Sequence, residues 1–152
     1  MDLKDSELQK SSNFAWMLSL AGAIPFVSLA LAMFYLGKEN DLFTVLFEAF
    51  KIWSAIILSF IAGIRWGLAI SQEPLDKDIL IISVIPAIVA WFAQFLNDPQ
   101  SVLVLLVAYC AHGAWDSFGA NAKQLPQWFG KLRIRMTFIV AAIHILVFLA
   151  LW

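Results

Sequence analysis

Five apolar runs restrict what this chain can fold into: Phe14–Leu36, Val45–Ile70, Ile79–Leu96, Val102–Phe118 and Leu132–Trp152. A helix needs about 20 apolar residues, within a range of about 17–25, to cross the hydrocarbon core of a bilayer. The first two runs exceed that need, and the third and fourth sit near its lower limit. Polar connectors separate them: GKEND, SQEPLDKD, NDPQS and the longer GANAKQLPQWFGK. Backbone groups in lipid must be satisfied internally, which leaves helices or a closed barrel. Strict apolar–polar alternation is absent, so the expected fold is an all-α membrane protein. It is a bundle of five transmembrane helices forming one domain over residues 1–152, with short connectors that make neighbouring helices antiparallel. At 62% hydrophobic and 14% charged residues, the chain has too few polar side chains to cover a soluble core of this size.

The segment ahead of the first run carries Asp2, Asp5 and Glu7 beside Lys4 and Lys10. A secretory signal has a basic start and a cleavage site after a shorter apolar core, and a transit peptide is poor in acidic residues. The first run therefore reads as a retained span, preceded by a cytoplasmic tail over residues 1–13 that is disordered before Ser11. Lys4, Lys10, Lys77, Lys123, Lys131, Arg133 and Arg135 fall at one set of span ends, against only Lys38 and Lys51 at the other. The positive-inside rule then places the N-terminus in the cytoplasm and the C-terminus outside. A formal net charge of −1 provides no basic field for nucleic acid. Cys110 is the single cysteine, so no intrachain disulfide forms, and its place in an apolar run predicts a small buried side chain. Trp16, Trp53, Trp128 and Trp152 lie near span ends, where indoles favour the interface.

Arg65 interrupts the apolar stretch WSAIILSFIAGIRWG, Trp53–Gly67. Ionisable side chains within membrane spans are costly and face protein or water. On the same span Ala55, Ser59, Gly63, Gly67 and Ser71 recur every four residues and so share one helix face. Small residues there permit close helix approach, and Ser59, Gly63 and Gly67 are expected to pack against a helix of the same chain. Arg65 points away from that stripe, on the side of Leu58, Ser54 and Lys51, which gives this span neighbours on two faces. Glu48 and Lys51 read as an interfacial pair of little energetic worth.

The fourth span supplies partners for the arginine. Tyr109, His112 and Asp116 are spaced i, i+3, i+7 and share a face. Arg65 and Asp116 each lie about four to six residues from the ends of two spans that run in the same direction, which sets them at nearly equal depth. An arginine and a carboxylate at one depth pair bidentately and lower each other's burial cost. Three readings fit this polar cluster: a structural ion pair, a site for an anionic or quinone-like headgroup, and a proton relay through His112 and Asp116. His112 and Asp116 also have i, i+4 ligand spacing, but no second histidine pair or carboxylate-rich helix supports a metal, and neither a metal nor a cofactor is expected. His144, alone among aliphatics, reads as a hydrogen-bonded packing residue. In PQWFGKLRIR, aromatic residues and the cations Lys131, Arg133 and Arg135 suit an interfacial anchor on anionic lipid.

WSAIILSFIAGIRWG, a span ending in Asp116, and PQWFGKLRIRMT together resemble the family of unknown function numbered 3429, small bacterial membrane proteins related to eukaryotic transmembrane protein 69. The resemblance runs from Gly22 to about the C-terminus, with Phe129 where the family often has Tyr. It implies a multi-span inner-membrane protein and lends no activity, so no catalytic residue is inherited. The expected function is that of a non-enzymatic inner-membrane protein binding a lipid, a lipophilic small molecule or a membrane partner near Arg65, His112 and Asp116. A small transporter or proton-coupled carrier is the alternative, and an intramembrane enzyme ranks third because HExxH and GxSxG motifs are absent.

Overall fold

The computed structural model describes residues 3–122 and 124–151, with side chains from Lys10 onward. Expectations that rest on the side chains of Lys4, Lys123 and Trp152 lie outside the described residues. Among the described residues the chain forms five α-helices and no strand: α1 Leu3–Leu36, α2 Leu42–Ile70, α3 Lys77–Ala93, α4 Asp98–Asn121 and α5 Gln127–Ala150. Each matches one apolar run. Every helix starts further into polar sequence than its run does, whereas α3 stops at Ala93, three residues short of the end of its run at Leu96. Helix α1 begins at Leu3, so residues 3–10 are helical where a disordered tail is expected.

Local chemistry sets the ends. Gly37 takes the left-handed conformation at φ 72° and its N–H bonds Met33 O at 3.0 Å, which closes α1. Asp76 caps α3 by accepting from Ile79 N at 3.0 Å. Pro99 sits in the first turn of α4, where its missing N–H has no intrahelical role. Pro25 and Pro86 stand inside α1 and α3, and both helices run on through them.

The five helices close a ring in chain order. Each packs on the next, α5 returns to α1, and α2 also reaches across to α4. Phe26, Phe47, Phe50, Leu58, Leu105, Tyr109 and Val147 fill the centre and are almost wholly buried. The outer faces are equally apolar, with Phe60, Phe138 and Ile24 pointing outward. A helix apolar on all sides belongs in a core or a membrane. Among the described residues four helices, α1 from Lys10, α2, α4 and α5, are long and apolar enough to cross one. Helix α3 has 17 residues, about 25 Å of rise against a core of about 30 Å, and is shorter than the rest.

Two local expectations are corrected. Gly63 and Gly67 lie on the outward face of α2, and a Cβ at either would meet nothing within 4 Å, so among the described residues this part of the stripe packs on no helix. The close approaches are instead made by Gly113, Gly119 and Gly130 on α4 and α5. Cys110 is exposed rather than buried, because its side of α4 faces outward.

Candidate functional site

Arg65 lies five residues before the end of α2, Asp116 five before the end of α4, and Arg133 six after the start of α5. At 1.5 Å per residue all three fall in one layer, roughly 8–9 Å from that end of the bundle. Asp116 is fully buried and shared. Arg65 Nε donates to its Oδ1 at 2.9 Å, and Arg133 Nε donates to its Oδ2 at 2.7 Å. One carboxylate on α4 thus ties together a guanidinium from α2 and another from α5. Removing one member of a buried pair strands a charge and costs about 3–5 kcal/mol.

The Arg65 guanidinium is held on every side. It donates from one Nη to Trp115 O at 2.6 Å and from the other to Gln124 Oε1 at 3.3 Å, and its Cζ lies 4.6 Å from the Trp115 ring centroid. Gly119 makes this possible, since a Cβ there would collide with the Arg65 guanidinium. Gly113 plays the same part against Thr137 on α5, whose Oγ1 an added Cβ would strike.

The sequence-predicted cluster is brought together in part. Arg65 and Asp116 pair, and His112 Nε2 stands 3.6 Å from Asp116 Oδ2, beyond a hydrogen bond. His112 is buried, and neither ring nitrogen finds a hydrogen-bond partner among the described residues. Tyr109 belongs to a separate layer. Its hydroxyl donates to Ser54 O at 2.8 Å, and its ring lies 5.3 Å from that of His144. His144 Nδ1 is 2.8 Å from Val140 O, which can only accept, so in the neutral ring Nε2 accepts from Ser54 Oγ at 2.8 Å. Lys51 pairs with Glu48 at 2.7 Å, but its side chain is buried, 3.9 Å from Asp98 and with its Nζ 5.2 Å from the Phe47 ring centroid.

Arg133 is the member the sequence reading missed. Surrounded by Lys131 and Arg135, it reads as one more headgroup cation, whereas Lys131 and Arg135 are exposed and Arg133 is buried. The available signal was register. Arg133, Met136, Val140, His144 and Val147 share the inward face of α5.

The charged layer stands between two cavities. One, of about 370 Å³, is walled by α1, α2 and α5, with Ser19, Tyr109, Arg133 and Thr137 as polar lining among apolar residues. It reaches the surface beside the exposed Leu18 and Phe60. The other, of about 540 Å³, lies between α3 and α4 and has His112 and Trp115 on its wall. Arg133 Nη2 and Thr137 Oγ1 are buried and find no hydrogen-bond partner among the described residues. Buried polar groups are nearly always satisfied, so such orphans mark a place where a partner belongs.

This fold and this layer define a class, the multi-pass all-α membrane protein with charged side chains buried between its helices. Residues 11–149 match the family described as Protein of unknown function (DUF3429), and the chain belongs to that family. It is similar to Transmembrane protein 69 of Xenopus tropicalis, 36% identical over 128 residues, which are 82% of this chain and 49% of that protein. Transmembrane protein 69 of Mus musculus is 29% identical over 144 residues, 90% of this chain and 56% of that protein. The chain spans about half the length of the curated relatives it matches. No solved structure matches it.

Proposed function

We propose that this protein is a non-enzymatic integral membrane protein of the bacterial inner membrane that binds a lipid or lipophilic small molecule at the Arg65–Asp116–Arg133 layer. In this reading all five helices cross the bilayer, with the N-terminus cytoplasmic, the C-terminus outside and the charged layer near the cytoplasmic face. The cation distribution supports that orientation. The outward apolar side chains of α3, among them Ile81, Ile85, Ile88 and Phe92, support its lying in lipid with the other four.

One observation carries the binding reading: a cavity of about 370 Å³ reaches from the outer surface to the buried charged layer. That volume falls within the roughly 300–1,000 Å³ range of small-molecule sites, which are mostly apolar with a few convergent polar groups. Gentle extraction followed by native mass spectrometry tests the reading. A discrete lipophilic adduct is expected to stay with the chain. A bare chain, or one retaining only a protein subunit, contradicts lipophile binding, and proton-dependent uptake in proteoliposomes points to a carrier instead.

A further inference from the structure

The buried charged layer is unbalanced. Among the described residues two guanidinium groups, of Arg65 and Arg133, face the single carboxylate of Asp116. Arg65 spends its donors on Asp116, Trp115 O and Gln124. Arg133 gives Nε to Asp116, while its Nη2 is buried without a partner, and so is the hydroxyl of Thr137 one turn further along α5. Both residues line the cavity between α1, α2 and α5, whose other walls are Phe26, Ile61, Met136 and similar apolar side chains. An uncompensated cation at membrane depth is costly, and an anion brought to it relieves that cost.

We infer that this cavity holds a single-chain amphiphile with a monoanionic headgroup, seated with its headgroup beside the Arg133 guanidinium and its chain along the apolar walls toward Leu18 and Phe60. The inference rests on the lipophile-binding reading above and names the ligand class for the same layer. An acidic headgroup beside the Arg133 guanidinium makes a charge-assisted contact there and supplies the negative charge the layer lacks. One negative charge brings the layer to two cations and two anions. The volume lies near the lower end of the small-molecule range, which favours one chain over two. A carboxylate and a phosphodiester both meet these terms, so the shared chemistry is one acidic headgroup on one acyl chain.

The whole protein in phosphatidylcholine nanodiscs, at alkaline pH to keep carboxylates ionised, is titrated with oleate, 1-oleoyl-lysophosphatidylglycerol and oleyl alcohol. At least one anionic probe should bind tenfold or more tighter than oleyl alcohol, and the tighter of the two identifies the headgroup. Arg133→Gln should erase the preference but also disturbs Asp116, so a milder variant accompanies it. Gly22→Leu fills the cavity, in open space and with a better helix former, and should abolish binding of all three. Oleyl alcohol binding as tightly as both anions, with Gly22→Leu still blocking it, overturns the anionic inference and leaves the lipophile reading standing. Binding untouched by Gly22→Leu, or no binding of any probe, overturns both.

Discussion

At the scale of single residues, the site depends on what is absent as much as on what is charged. Arg65 reaches the backbone of α4 because Gly119 has no Cβ, and its guanidinium is pinned by Asp116, Trp115 O and Gln124 so that it cannot swing aside. Gly119→Ala should therefore destabilise the protein by about 1–3 kcal/mol, the usual cost of overpacking. Gly63→Ala, on the open face of α2, should be neutral or stabilising by up to roughly 1 kcal/mol through helix propensity. Unfolding of the two variants in mild detergent separates them, and equal effects would contradict the packing described here. The glycine pair most visible in sequence, Gly63 and Gly67, is thus the pair with least to do inside this chain. A four-residue repeat of small side chains shows that a helix face is flat, but not which neighbour covers it. Likewise Arg65 and Asp116 could be matched by depth alone, whereas Arg133 was hidden among exposed cations that look the same in sequence.

At the scale of elements, the five helices and most of their ends were legible because apolar runs and turn residues report them directly. Gly37, Asp76 and Pro126 each stand where a helix stops or starts. Lateral packing order was less legible, since membrane helices present apolar side chains on every face and hydropathy loses its directional signal. Polar residues restore some of it. Lys51, Ser54, Leu58 and Arg65 were assigned to one side of α2, and all four are buried together. Tyr109, His112 and Asp116 share a face of α4, yet they divide between two layers about one to two turns apart, a distinction that spacing does not make. Helix α3 is the element whose role matters most to topology. If it crosses the bilayer, reporters fused at Gln72 and at Asn97, in the connectors on either side of it, report opposite sides of the membrane. Finding both on one side would make α3 re-entrant and bring the C-terminus to the side of the N-terminus.

At the scale of the whole molecule, the ring of helices leaves α2 and α5 apart, bridged by side chains at two depths. Ser54 and His144 make one bridge, and Arg65, Asp116 and Arg133 make the other, about 16 Å along α2. The cavity between α1, α2 and α5 lies alongside these bridges, with Tyr109 and Arg133 on its wall. A bundle in lipid gains little from apolar contact between helices, because lipid tails offer the same contact, so packing and polar links determine how its helices associate. Asp116 serves two arginines at once and thereby holds α2, α4 and α5 in register. The most direct test of this is a set of mutant cycles, reading unfolding in mild detergent of Arg65→Ala, Arg133→Ala and Asp116→Ala, alone and in pairs. The shared carboxylate predicts a loss of about 3–5 kcal/mol for Asp116→Ala. It further predicts that either arginine change does less harm once Asp116 has been removed than it does in the intact protein. Strictly additive losses, in either cycle, would mean that arginine and Asp116 do not meet, and would contradict the account.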